Sequence, residues 1–172
     1  MTHGLKTSTN AKPRLGAVSM TNKVFAPQEP HAAATAADRD RARDRTRARD
    51  RDRARARVKR GTIFRYLLSE PATVSIAVER RARGRRAQAR ARGARCARPT
   101  HRNVKGKPCT RWLRVGMLKA SEQAGSQGMP FSGRFKGRAL KPGRYRARLV
   151  ATNRARARSR ERRVSFRIVR AR

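Results

Sequence analysis

The chain has 172 residues, of which 48 are Lys or Arg and 10 are Asp or Glu, so its formal net charge is +38. This length suits one domain with tails and excludes two domains of ordinary size. The charge attracts any polyanion, including nucleic acid, anionic lipid and acidic wall polymers, and does not choose among them. Because Arg and Ala codons accumulate in GC-rich genomes, the same bias also arises without selection for binding.

We expect no targeting segment in the sequence as given. No stretch approaches the apolar length that a bilayer span requires, so no membrane span is expected. Residues 1–23 lack the apolar core of a secretory signal. The sequence therefore predicts a soluble chain with no visible export route.

The first third of the chain carries little that can form a core. Residues 1–12 are small and polar without periodicity, and we expect them to be disordered. Residues 13–25 predict a weak first edge strand with a break near Thr21 and Asn22. The segment from Ala26 to Pro30 ends this strand.

Residues 26–57 form a low-complexity insertion, and within it Arg occupies every odd position from 39 to 57. Neither face of this alternation is apolar, so it has nothing to bury and predicts a disordered, solvated loop. The alternative is an arm that binds polyanions. Its candidate contacts are Arg39, Arg41, Arg43, Arg45, Arg47, Arg49, Arg51, Arg53, Arg55 and Arg57.

The main body, residues 58–170, reads as short strands separated by turns. Residues 61–68 and 72–80 predict two strands joined as a hairpin by the turn at 69–71. A long basic loop over 81–108 precedes a strand at 110–118, and residues 125–128 predict a turn. Further strands follow at 131–135, from 144 onward, and at 164–169. About seven short strands indicate an all-β sandwich of antiparallel strands.

A corner precedes the strand that begins near residue 144. Pro142 and Gly143 are turn residues, since Pro presets φ and Gly accepts a positive φ. Tyr145 follows directly, at a position where a tyrosine in an antiparallel sandwich often connects the two sheets. Alternating apolar positions predict this core: Phe64, Tyr66, Leu68, Val74, Ile76, Val78, Trp112, Tyr145, Leu149, Phe166 and Ile168.

The ordered motifs resemble a known family. They are Phe64–Val74, Cys96, Cys109–Arg111, Phe131–Arg134, Leu140–Tyr145, Asn153, Ser159 and Phe166–Ile168. Together they resemble the immunoglobulin-like, fibronectin-type-III-like β-sandwich module of actinobacterial secreted and cell-surface proteins. The resemblance covers residues 13–25 loosely and 58–170 closely. It implies a non-catalytic spacer or adhesive unit at the cell surface or outside the cell.

The two cysteines allow three states. The resemblance implies a disulfide between Cys96 and Cys109, which requires an oxidising compartment. Two free thiols in a cytosolic protein are the plain alternative. A zinc site of Cys96, His101 and Cys109 matches no recognised spacing and lacks a fourth ligand nearby.

The sequence carries no motif of an enzyme, cofactor site or metal site. Two functions therefore stay open. The first is an extracellular structural or adhesive module that contacts anionic wall polymers. The second is a cytoplasmic protein that binds nucleic acid through phosphates without base specificity.

Overall fold

The computed structural model describes residues 11–29, 58–86 and 95–170, and these residues form an all-β structure. The strands are β1 (Leu15–Met20), β2 (Val24–Phe25), β3 (Thr62–Leu68), β4 (Ala72–Arg86), β5 (Cys96–Ala97), β6 (Pro108–Glu122), β7 (Gly125–Phe131), β8 (Arg134–Phe135), β9 (Arg138–Ala139), β10 (Gly143–Thr152) and β11 (Arg162–Ile168). One 3₁₀ turn spans His101–Asn103. Within these ranges no helix is long and apolar enough to cross a membrane.

Two sheets pack face to face around one core. The smaller sheet has the order β1-β3-β7. The larger sheet has the order β2-β11-β10-β4-β6, and β5 extends it by pairing with the end of β4. All pairs are antiparallel except β2 with β11, which run parallel. The predicted break near Thr21 is therefore real, because the chain changes sheets between β1 and β2.

Apolar side chains from both sheets fill the space between them. Phe64 and Phe131 of the smaller sheet lie against Phe166 of the larger one, with ring centroids 6.2 and 6.3 Å from it. Ten of the eleven predicted core residues are buried, the exception being Trp112. Trp112 lies on the outer face of the larger sheet, so its assignment to the core was wrong.

The predicted hairpin of residues 61–68 and 72–80 is also wrong. β3 pairs with β1 and β7 in one sheet, whereas β4 pairs with β10 and β6 in the other. The turn at 69–71 therefore crosses between the sheets. Two consecutive strands show the same alternation of apolar residues whether they pair within one sheet or face each other across two sheets. The sequence pattern therefore does not distinguish a hairpin from a connection between sheets.

Strand boundaries differ in two regions. β4 and β6 form a long ribbon that pairs as far as Arg85 and Pro108, although the sequence predicted a loop from residue 81. Residues 125–128 belong to β7 instead of a turn, since this strand buries Met129 and Phe131 against β3. The predicted strand at 131–135 is interrupted at Gly133, whose φ is +76°.

The flanks of the insertion lie side by side. Ala26 and Arg60 form an isolated parallel bridge, and the Arg60 guanidinium pairs with Glu29 at 2.6 Å. Residues 30–57, with all ten candidate contacts from Arg39 to Arg57, lie outside the described residues, as do residues 1–10.

Candidate functional site

Three arginines lie abreast on the outer face of the larger sheet. Arg144 of β10 is directly opposite Arg167 of β11. The register of β10 with β4 ends at the pair Tyr145–Arg80, and one further step places Arg81 beside Arg144. Tyr145 and Phe166 point into the core, so their neighbours Arg144 and Arg167 point outward. We call Arg81, Arg144 and Arg167 the arginine row.

The row continues at both ends with other side chains. Trp112 of β6 is directly opposite Arg81. At the other end Val24 of β2 is opposite Arg167, and Lys23 precedes it. Directly opposed side chains on neighbouring strands have Cβ atoms about 5 Å apart. The row therefore concentrates positive charge in a line across the strands.

Carboxylates neutralise the neighbouring rows of the same face. Glu79 is buried and accepts hydrogen bonds from Arg146 Nε at 2.6 Å and Arg148 Nη1 at 3.0 Å. Glu161 pairs with Arg148 and Arg163. Hydrogen bonds from Arg148 and Arg163 hold the pKa of Glu161 below its ordinary value. Both carboxylates compensate the arginines around them.

The arginine row has no such compensation from the residues that the structure describes. The ion pairs among these residues involve Arg60, Arg146, Arg148 and Arg163, and none involves the row. The nearest polar partner is the Thr110 hydroxyl, which accepts from Arg81 Nη2 at a long 3.4 Å. All three arginines of the row are exposed. They are therefore available to an anion from outside.

Trp112 is held in place beside the row. The Arg146 guanidinium carbon lies 4.3 Å from the centroid of the indole ring, a cation–π contact. Arg146 is itself fixed by the buried Glu79 carboxylate. The indole therefore has a defined orientation while it remains partly exposed.

Two open depressions adjoin at the row. The first, of about 620 Å³, lies among Lys23, Arg81, Trp112, Arg144 and Arg167. The second, of about 1130 Å³, continues along the protruding end of β4 past Arg83 and Arg85. Both are lined by Arg81, Thr110 and Arg144. Together they form an elongated basic groove.

A disulfide joins Cys96 to Cys109 near the protruding end of the β4–β6 ribbon. Gly84 lies beneath it, and a Cβ at this position would collide with Cys96 Sγ. Since both sulfurs are in the disulfide, neither is a thiolate that could bind zinc with His101. The bridge joins β5 to the strand that carries Thr110 and Trp112.

The corner at Pro142 and Gly143 positions the start of β10. The Tyr145 hydroxyl donates a hydrogen bond of 2.6 Å to the Lys141 carbonyl, four residues upstream. Tyr145 is also stacked on Phe166 at a centroid distance of 5.5 Å. These two contacts fix the backbone from which Arg144 projects.

Sequence reasoning did not find the arginine row. The alternation of Arg144, Arg146 and Arg148 with apolar residues was visible, and it placed these arginines on one outward face. The positions of Arg81 and Arg167 depend on strand order and register, which a single sequence does not give.

The fold and the groove define an all-β sandwich with a basic outer face. Comparisons with protein-family models, with curated proteins and with solved structures found no match.

Proposed function

We propose that this chain is an immunoglobulin-like, non-catalytic structural or adhesive module that works outside the cytoplasm and binds anionic polymers through the arginine row. The observation that carries the proposal is the line of three exposed arginines without a carboxylate among the described residues. Like charges directly opposite on neighbouring strands destabilise a sheet. A bound polyanion removes this repulsion, and Arg pairs with carboxylate or phosphate in a planar fork.

Two features support the immunoglobulin-like assignment. Short strands are distributed over two sheets, with connections that cross between them. Tyr145 makes the upstream backbone hydrogen bond that is typical of the tyrosine corner in such sandwiches. An immunoglobulin-like assignment implies a non-catalytic module that exposes a sheet face to its partners, and this agrees with a binding role.

The disulfide supports a location outside the cytoplasm. Disulfides persist in oxidising environments and are rare in the cytosol. Fractionation of native host cells, with an antibody against the protein, tests this directly. Recovery from the envelope or the medium with the thiols oxidised is expected. Recovery with the nucleoid and reduced thiols would favour the cytoplasmic, nucleic-acid-binding function.

The binding site is tested with two variants of equal charge. The triple variant R81Q/R144Q/R167Q removes the row, and R14Q/R65Q/R138Q removes three exposed arginines outside it. Both are titrated with an acidic polymer at physiological salt, because any protein of charge +38 binds polyanions at low salt. We expect a large loss of affinity for the first triple variant and a small loss for the second. Equal losses would contradict a site at the row.

The competing site, the arm of residues 39–57, has its own test. The ion pair between Glu29 and Arg60 shows that the flanks are close, so a short Gly/Ser linker can replace residues 30–57. We expect this variant to fold and to keep most of its affinity for the acidic polymer. Loss of binding, DNA binding included, at physiological salt would instead identify the arm as the contact.

A further inference from the structure

The groove is long and open, which fits a chain better than a small molecule. Its two depressions adjoin at Arg81 and Arg144 and extend from Lys23 to Arg85. Pockets for small ligands enclose most of the ligand surface. Here the arginines of the row instead follow one another across three strands, β4, β10 and β11, spaced by roughly 5 Å per strand. A linear polymer with regularly repeated acid groups can contact several of them.

One aromatic ring stands at the end of the row. Trp112 is the only tryptophan in the sequence. Its orientation is fixed by Arg146 and Glu79 before any ligand arrives. A flat, pre-oriented indole provides apolar area with little loss of conformational entropy on binding. The C–H face of a sugar ring is a suitable partner for such a surface.

Two hydroxyl side chains flank the arginine row. Thr110 and Ser165 are exposed and line the first depression with Arg81, Arg144 and Arg167. Hydroxyl groups both donate and accept hydrogen bonds. They therefore suit a ligand that carries hydroxyls as well as acid groups, which a sugar chain does.

A nucleic acid fits these observations less well. Proteins that bind single strands stack successive bases on several aromatic side chains. Of the three aromatic residues that line the groove, Tyr145 and Phe166 are buried in the core, so Trp112 is the one partly exposed ring. The Cys96–Cys109 disulfide also favours a compartment in which sugar polymers are the abundant polyanions.

We infer that the groove binds an acidic polysaccharide, with a sugar ring against Trp112 and its carboxylate or phosphate groups on Arg81, Arg144 and Arg167. The inference rests on the proposed function, since it names the polymer that the arginine row binds. Trp112 then determines specificity, while the arginines supply most of the affinity. A polyanion without sugars gains nothing from Trp112.

Four probes of matched charge test the inference at physiological salt. They are an oligogalacturonate, a glucosyl-phosphate polymer, inorganic polyphosphate and oligothymidylate. Fluorescence of the single tryptophan reports contact with the ring, and calorimetry reports affinity. We expect one or both sugar polymers to change the fluorescence and to bind more tightly than polyphosphate and oligothymidylate. A response to oligogalacturonate alone would identify carboxylate as the acid group that the row binds. A response to the glucosyl-phosphate polymer alone would identify phosphate.

The variant W112L keeps apolar bulk and charge while it removes the ring. It should bind the responding sugar polymer roughly tenfold more weakly, in the range known for stacking contacts, and bind polyphosphate as the unmodified protein does. Equal effects on sugar polymer and polyphosphate would overturn the inference and leave the proposed function intact. Tighter binding of oligothymidylate would also overturn it. If R81Q/R144Q/R167Q behaves as its charge-matched control, the proposed function fails as well.

Discussion

Arg144 and Arg167 lie directly opposite each other on β10 and β11, with Arg81 on the far side of Arg144. The next rows of the same face contain Glu79 and Glu161, each in contact with two arginines. Arg146, Arg148 and Arg163 are therefore compensated, whereas Arg81, Arg144 and Arg167 have no carboxylate partner among the described residues. Repulsion among these three arginines is expected to lower the free energy of unfolding. Their side chains point outward and do not contribute to the core. The anion binding that we propose accounts for this arrangement.

Reversing one charge in the row should separate stability from binding. The variant R167E places a carboxylate opposite Arg144, and an opposite-charge pair there stabilises by about 0.2–1 kcal/mol. We expect a higher free energy of unfolding in urea at low salt, together with weaker binding of acidic polymer. The variant R65E, on the smaller sheet, is the control for net charge. If R167E is no more stable than R65E, the repulsion in the row is not significant.

The two tyrosines should respond differently to loss of their hydroxyl groups. Tyr145 donates to the Lys141 carbonyl, so Y145F should lower the free energy of unfolding by about 1–2 kcal/mol. The Tyr66 hydroxyl is buried without a hydrogen-bond partner in the described part of the chain. Y66F removes this unsatisfied group and should be neutral or slightly stabilising. Chemical denaturation of both variants checks the contrast, and an equal loss in both would refute it.

Tyr66 should also make stability depend on alkaline pH. Burial, with the Glu122 carboxylate nearby but not hydrogen-bonded to it, raises the pKa of Tyr66 from 10.0 to about 12. The unfolded chain therefore ionises first. This contribution to stability is complete below pH 10 and is lost as the pH rises through about 12. Y66F lacks this group, so over that interval the unmodified protein should lose unfolding free energy relative to Y66F and the difference in favour of Y66F should grow; a constant difference would contradict the shift.

The disulfide should contribute measurably to the stability of the oxidised protein. Cys96 and Cys109 are 13 residues apart, and closing a loop of this size stabilises by about 3 kcal/mol in the chain-entropy model. The variant C96S/C109S should lose about that much. Reductant should destabilise the unmodified protein similarly and leave the double variant unchanged. No difference between the two proteins under oxidising conditions would mean that the bridge has no effect on folding.

Much of the fold could be predicted from local pattern. Val74, Ile76 and Val78 alternate with small or polar residues, and this period places them in the core in any sandwich. The break in the first strand near Thr21 could also be predicted from the sequence. In contrast, β4 and β6 continue past Arg80 with no apolar face, because their ladder is held by each other and by the disulfide. An extension of this kind produces no alternation of apolar residues in the sequence.

The site was less accessible to sequence reasoning than the core. Arg81, Arg144 and Arg167 are separated by dozens of residues and meet only through the order β4-β10-β11. Trp112 reads as a core residue, because a large aromatic residue in a strand usually is one. It is partly exposed because it lies on the outer face of the larger sheet, away from the core. The high positive charge could be predicted from the composition. The compensation of arginines by Glu79 and Glu161 could not, because it depends on how the fold brings these side chains together.

The most direct test is to map the contact on the full-length protein by NMR. A titration with oligogalacturonate at physiological salt should shift the arginine Nε–Hε signals of Arg81, Arg144 and Arg167 and the indole N–H of Trp112. Signals of Arg14, Arg65 and Arg138 should stay in place. We expect this restricted pattern of shifts. Shifts spread over the arginines of both sheets, or confined to residues 39–57, would contradict it.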